Sequence, residues 1–123
     1  MYPRLIACFI LFFINHSLSA QQNRNYFVNF NTDDGLPGNN LYCIFQDSKG
    51  YIWLGSNAGV SRYNGHSFEN FTMSDGMADN DIFEVFEDSK GKIWFSSYNG
   101  NLCYFYNNKF HNASNDPMLA GNN

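Results

Sequence analysis

Two aspartates occur in the same setting and are the first candidates for chemistry. Asp47 and Asp88 each precede the tripeptide Ser-Lys-Gly. Paired carboxylates can act as general acid and base in hydrolysis. However, an aspartate at such a turn also accepts hydrogen bonds from its own backbone, and a catalytic residue is normally needed once rather than in every copy of a repeat. We therefore interpret both aspartates as turn residues.

Other reactive side chains are scattered and do not form a known constellation. His66 and His111 lie in or near hairpin regions without an adjacent nucleophile, which indicates surface histidines. The acidic run 79–81 is rich in oxygen ligands but lacks the glycine and final glutamate of a calcium loop. The sequence thus predicts no catalytic residues, no metal site and no cofactor, and it leaves the ligand-binding residues unknown.

The cysteines outside the N-terminal segment also lack partners for metal binding. Cys43 and Cys103 have no second cysteine or histidine at metal-ligand spacing. At a spacing of 41 residues they correspond to Glu84 and Arg62, so neither belongs to a repeating framework. They could form a disulfide in an oxidising compartment, although buried thiols are more common for such a pair.

The elements that carry these residues repeat with a fixed period. Residues 45–53, FQDSKGYIW, return 41 positions later as residues 86–94, FEDSKGKIW. The match extends to Asp-Gly pairs at 34–35 and 75–76, and backward to phenylalanines at 27 and 30 that precede those at 68 and 71. A period of this length marks a repeat architecture. The repeat motif contains aspartate, glycine and aromatic positions that we assign a structural role: Asp47, Gly50, Trp53, Gly59, Tyr63, Asp88, Gly91, Trp94, Gly100 and Tyr104.

Each repeat predicts four short strands joined by tight turns. Asn64-Gly65 between aromatic runs is a hairpin signal. Residues 41–47 have apolar spacing that would also suit a helix, but the run is short and bounded by turn residues, so we predict a strand buried on both faces. Four antiparallel strands per period are typical of a β-propeller blade, with Trp53 and Trp94 packed between blades. One extra residue in the second copy is assigned to the hairpin after Tyr104.

The positions of the two repeats define the predicted domain organisation. Residues 1–20 follow the charged, apolar, small-residue order of a signal peptide, with cleavage near Ala20, and an uncleaved anchor is the alternative. Residues 21–33 form a leader with an outer strand at 26–30, in the phase of the last strand of a blade. Repeat 1 covers 34–74, repeat 2 covers 75–112, and 113–123 begin a further, truncated segment. Such a lone strand usually completes the last blade of a ring.

Charge excludes one class of partner. Removal of residues 1–20 leaves 103 residues with 6 basic and 11 acidic side chains, a net charge of about −5. The sequence has no basic patch to neutralise phosphates, so binding to nucleic acid or to an anionic membrane is not expected.

The combined motifs resemble a known family. The motifs are Asp34-Gly35-Leu36-Pro37-x-Asn39, the core at 45–55 and Gly59-Val60-Ser61-Arg62-Tyr63. Together they make the sequence similar to the two-component regulator propeller repeat. The second copy departs from the motif at Met77-Ala78, at Ser96 and at Asn101-Leu102-Cys103. That family occurs in the periplasmic sensor regions of bacterial histidine kinases, especially in Bacteroidetes.

The resemblance implies a role and a location. The chain would be the N-terminal part of a periplasmic, non-catalytic sensor propeller that precedes a membrane segment and a kinase absent from this sequence. Its partners would be the remaining blades and an unknown extracellular ligand such as a glycan or small molecule. A membrane contact would come only through the missing span. The alternatives are a fragment of an extracellular propeller enzyme, sialidase- or lyase-like, and a non-functional truncated product.

Overall fold

The computed structural model describes residues 26–121, which form two four-stranded antiparallel sheets in simple up-and-down order. The all-β propeller-blade prediction is confirmed, and residues 41–46 form a strand rather than a helix. The first sheet contains β1 (Leu41–Gln46), β2 (Ile52–Ser56), β3 (Gly59–Tyr63) and β4 (Phe68–Phe71); the second contains β5 (Ile82–Glu87), β6 (Ile93–Ser97), β7 (Leu102–Tyr106) and β8 (Lys109–His111). A short helix, α1 (Pro117–Ala120), follows β8.

A 3₁₀ turn leads into each sheet and explains why Asp-Gly recurs. The turns are Thr32–Asp34 and Met73–Asp75. In each, the aspartate accepts a hydrogen bond from the backbone of the preceding cap residue, which closes a reciprocal capping box. The following glycine, Gly35 or Gly76, has φ of 107° or 102°, a left-handed conformation that favours glycine.

The two sheets pack face to face as adjacent blades. Strand β5 lies against both β1 and β2, so the inner strands of the two blades are neighbours. Trp53 and Val60 from the first blade are almost fully buried in this interface. The apolar core shared by the blades is completed from the second blade by Ile82, Val85, Ile93, Phe95, Phe105 and Phe110.

Close backbone contact at this interface requires a glycine in β2. A Cβ on Gly55 would lie 2.7 Å from the carbonyl oxygen of Ile82 in the other blade and 2.5 Å from the Cys43 sulfur. Real Cβ atoms do not approach other atoms this closely. Ser96 pairs with Glu84 in β5 as Gly55 pairs with Cys43 in β1. No further blade lies against Ser96 among residues 26–121, so a side chain fits there.

The prediction that the first strand is buried on both faces is wrong. Leu41 is 42% exposed and Ile44 is 71% exposed. The corresponding residues of β5, Ile82 and Val85, are buried. The difference arises because β5 has the first blade against it, whereas no described blade precedes β1. Burial of the inner strand therefore depends on a neighbouring blade, not on the strand itself.

The extra residue of the second copy lies in a different turn from the one predicted. Gly55 of β2 pairs with Val60 of β3 across four intervening residues, but the equivalent Ser96 of β6 pairs with Leu102 of β7 across five. The offset between equivalent positions is therefore 41 before this turn and 42 after it. Ile52 pairs with Tyr63, and its equivalent Ile93 pairs with Phe105. The structural equivalent of Tyr63 is thus Phe105, not Tyr104, and that of Arg62 is Tyr104.

Residues 26–30 do not form the predicted outer strand. An outer strand needs the three inner strands of its own blade, and residues 26–121 contain only two complete blades. One side chain nevertheless lies at the expected place. The Phe30 ring packs 5.3 Å from Tyr63 and 5.2 Å from Phe68. Phe71, 41 residues later, packs 5.6 Å from Phe105 and 5.2 Å from Phe110 in the same way.

Residues 1–25, including the predicted signal peptide, lie outside the described part of the chain. Within residues 26–121, no helix is long and apolar enough to cross a membrane.

The structure predicts unequal contributions of the two equivalent tryptophans to stability. Trp53 is buried between the blades, whereas Trp94, at the equivalent position, is only partly buried on the open face of the second blade. We expect Trp53→Ala to lower the free energy of unfolding by about 3–5 kcal/mol because it leaves a large cavity. The matched change Trp94→Ala should cost about 1–2 kcal/mol. Urea unfolding followed by far-ultraviolet circular dichroism measures both values, and equal losses would contradict the interface assignment.

Candidate ligand-binding cleft between the blades

Asp47 is occupied by structural hydrogen bonds within its own turn. Its carboxylate accepts from the backbone N–H of Lys49 at 3.0 Å and of Tyr51 at 2.9 Å, and from the indole N–H of Trp53 at 2.8 Å. The side chain is buried. This arrangement fixes both the turn and the ring that enters the blade interface.

Asp88 makes the same three bonds in the second blade. It accepts from the backbone N–H groups of Lys90 and Lys92 at 2.9 and 3.0 Å, and from the Trp94 indole at 2.9 Å. The indole hydrogen bond is the largest influence on the Asp88 carboxyl and holds its pKa below the ordinary value of 3.8. A general acid needs a raised pKa instead, so the geometry supports the structural interpretation of these aspartates.

A glutamate from the second blade joins it to the first. The Glu87 carboxylate accepts from the Ser48 backbone N–H at 2.7 Å and from the Ser48 hydroxyl at 2.6 Å. On another part of the interface, the Gly59 N–H donates to the Asn80 carbonyl at 2.7 Å. Polar groups as well as the apolar core therefore fix the relative position of the two blades.

Beside the Glu87–Ser48 contact lies a cleft of about 460 Å³ between the blades. Its walls come from the β1–β2, β5–β6 and β7–β8 turns and from the side of β3. The polar residues on the walls include Lys49, Arg62, Lys90, Asn107 and Asn108.

Arg62 lines the cleft and is surrounded by aromatic rings. Its guanidinium carbon lies 4.8 Å from the Tyr51 ring centroid and 5.4, 5.5 and 5.2 Å from those of Trp53, Phe71 and Phe105. Cation–π contacts of this kind strengthen when they are shielded from water. One guanidinium nitrogen, Nη2, also pairs with Glu69 on β4.

The second blade reverses the order of cation and ring. Tyr104 replaces Arg62, and Lys92 replaces Tyr51; the Lys92 ammonium lies 4.3 Å from the Tyr104 ring centroid. Tyr104 also stacks on His111 at 4.6 Å and donates to Asp116 at 2.5 Å. The Asp116 hydrogen bond raises the pKa of Tyr104 to about 12, and the same bond lowers the pKa of Asp116.

The acidic run is also committed to structure. Burial favours a higher pKa for Asp79, but hydrogen bonds outweigh it and lower the pKa. The donors are the backbone N–H groups of Asn80 and Asp81 and the side-chain amides of Asn99 and Asn101. No group of histidine, cysteine and carboxylate side chains within residues 26–121 could hold a metal ion.

The remaining candidates are separated from one another. His66 is exposed at the β3–β4 loop, and His111 stacks on Tyr104. Cys43 and Cys103 are free thiols, and burial is the main cause of the raised pKa of each. Cys103 pairs with Phe95 as Ser61 pairs with Leu54, so its equivalent is Ser61 and not Arg62.

The residues of the cleft were not predicted from the sequence. Arg62 was treated as part of a motif, and Glu87, Asn107 and Asn108 were not singled out. One signal was present in the sequence. With an offset of 42, Arg62 corresponds to Tyr104 and Glu69 to His111, so the two charged residues occur in the first copy and not in the second.

Comparison with known proteins identifies the repeats. The sequence profile described as two component regulator propeller matches residues 35–58 and 76–99, which cover the first two strands of each blade. Each blade therefore contains one segment that matches the repeat of this family. The predicted resemblance is therefore confirmed.

Two relatives that match this chain are much longer proteins. Histidine kinase P4 from Formosa agariphila is 38% identical over 58 residues, which are 46% of this chain and 4% of the kinase. The crystal structure of the extracellular domain of BT3049 from B. thetaiotaomicron, assigned as a hybrid two component system, matches with a TM-score of 0.61 and 26% identity. That match covers 70% of this chain and 12% of the crystallised chain. The chain thus spans a small part of both relatives.

The aspartate turn of the second propeller repeat gives a testable pH dependence. Because the pKa of Asp88 is lowered on folding, its contact with Trp94 stabilises the fold above the ordinary pKa of 3.8 and is lost as the pH falls below that value. We expect Trp94→Phe to move the Asp88 pKa upward, toward 3.8. A carboxyl-carbon NMR titration measures this change. The Asp79 carboxyl is the internal control and should not move, whereas an unchanged Asp88 pKa would contradict the assignment.

Proposed function

We propose that this chain is the N-terminal part of a periplasmic, ligand-sensing β-propeller in a two-component signal-transduction system. The observation that carries the proposal is the pair of two component regulator propeller repeats, folded as two adjacent blades. One relative is named a histidine kinase, and the structural relative is an extracellular domain of a hybrid system. Export through the signal peptide at residues 1–20 would deliver the propeller to the periplasm.

The remaining blades of a longer propeller are the first proposed partner. The first blade (blade 1, strands β1–β4) buries one face against the second blade (blade 2, strands β5–β8). The equivalent face of blade 2 is exposed and carries Phe86 and Trp94. Blade 1 exposes Leu41 and Ile44, whose equivalents in blade 2 are buried. A further blade on each side would cover these faces as blade 2 covers Trp53. Residues 26–30, with Phe30 already in place, would supply the outer strand of the blade preceding β1.

On this proposal the repeat boundaries at 34–74 and 75–112 describe two complete blades, and residues 113–123 lead toward the next. The strands of both blades lie inside these limits.

The proposed role is non-catalytic. The carboxylates that recur, Asp47 and Asp88, are each held by three hydrogen bonds. Turnover of a glycoside by the purified chain, lost on Asp47→Asn or Asp88→Asn, would favour the enzyme alternative instead. The ligand would be an extracellular glycan or small molecule, and signalling would follow from rearrangement of the propeller.

The proposal predicts what the gene encodes and how it responds. Sequencing downstream of codon 123 should reveal further repeats, a membrane span and a kinase in the same frame. In the native host, Trp53→Ala in that gene should abolish the transcriptional response to the sensor's ligand because it disrupts the blade interface. Lys109→Gln, at an exposed position of β8, should leave that response intact. A reading frame without a membrane span and kinase would contradict the proposal.

A further inference from the structure

The cleft between the blades collects hydrogen-bond donors. Lys49 and Lys90 occupy equivalent positions in the two aspartate turns, and both line the cleft. Neither forms an ion pair with a residue in the described range 26–121. Asn107 and Asn108 also line the cleft from the two-residue β7–β8 turn, in left-handed conformations with φ of 50° and 59°. Within the same range, their side-chain amides also lack hydrogen-bond partners.

The two carboxylates in the cleft are already engaged in hydrogen bonds. Asp47 accepts three hydrogen bonds from its own turn, and Glu87 accepts two from Ser48. Within residues 26–121, the lining side chains without hydrogen bonds are the two lysines, the two asparagine amides and the hydroxyls of Tyr51 and Tyr106, and the cations of the lining outnumber its carboxylates three to two. This is notable in a chain whose overall net charge is −4. A site of this composition favours a negatively charged group.

Arg62 gives the site geometry. Its Nη2 atom is bound to Glu69, while no other guanidinium nitrogen is hydrogen-bonded to a residue in the described part of the chain. The guanidinium nitrogens without a hydrogen bond are not fully buried, and Arg62 is one of the residues that line the cleft. The planar guanidinium matches the two oxygens of a carboxylate, and the four rings around it limit its movement.

Aromatic rings in the cleft favour a second feature in the ligand. Tyr51 and Tyr106 also line the cleft, and Tyr106 is partly exposed. Flat aromatic faces favour ligands that present a ring of their own. The volume of about 460 Å³ is within the range of small-molecule sites, which is about 300–1,000 Å³.

We propose that this cleft binds a small ring-bearing carboxylate, with the carboxylate held by Arg62, Lys49 and Lys90 and the ring against the tyrosines. The inference deepens the proposed sensory function by naming a ligand class. The inference concerns binding of a ligand to this chain alone. Its test is therefore independent of whether a membrane span and a kinase follow the propeller.

The test measures binding of defined probes to the purified chain by chemical-shift perturbation. Glucuronate and benzoate carry the carboxylate on a sugar ring and on an aromatic ring, and glucose is the neutral control. We expect millimolar binding of at least one carboxylate, weakened by salt, and no binding of glucose. The stronger probe identifies the kind of ring.

Variants locate the site. Because both lysines are exposed, the double variant Lys49→Gln/Lys90→Gln should fold normally and bind the carboxylate at least about tenfold more weakly. Lys109→Gln also removes one positive charge but lies outside the cleft, so it should bind like the unmodified chain. Absence of binding by both carboxylates, equal binding of glucose, or undiminished binding by the double variant would each overturn the proposal.

Discussion

The contact between Trp53 and the neighbouring blade is the interaction on which the rest of the structure depends. Its ring lies 5.4 Å from Phe95 and 5.5 Å from Phe105, both in the second blade. A single four-stranded sheet of this size cannot cover such a residue, because it has only one layer. The exposed inner strand β1 and the buried inner strand β5 show the same dependence. Stability is therefore a property of the interface between repeats.

The aspartate turn links this interface to function. By holding the indole of Trp53, Asp47 sets the ring at the depth the neighbouring blade requires, and Asp88 prepares Trp94 in the same way. Both recurring carboxylates are thereby occupied by structural hydrogen bonds. Lys49 and Lys90 recur with these carboxylates, whereas Arg62 is replaced by Tyr104 in the second blade. A repeat protein can thus keep its framework constant while single side chains beside it differ between blades.

The period of the sequence was sufficient to predict the blades, because turns and strands follow local rules. Burial was not predictable, since it depends on neighbours: Ile44 and Val85 have similar side chains but opposite environments. The position of the inserted residue was misassigned because Tyr63 and Tyr104 are identical at an offset of 41, whereas strand pairing shows that Tyr63 corresponds to Phe105. The cleft could not be predicted for the same reason: it joins turns from two repeats, and its outline depends on the corrected register.

Hydrogen exchange in increasing urea tests the central claim that the interface, not either sheet, holds the fold. The measurement follows peptides covering β2 and β3 in one blade and β6 and β7 in the other, by mass spectrometry. If the shared core stabilises both blades, their amides should lose protection together, with the same opening free energy. Retention of protection in one blade at a urea concentration where the other has fully exchanged would show that a single blade is stable alone, which contradicts the account.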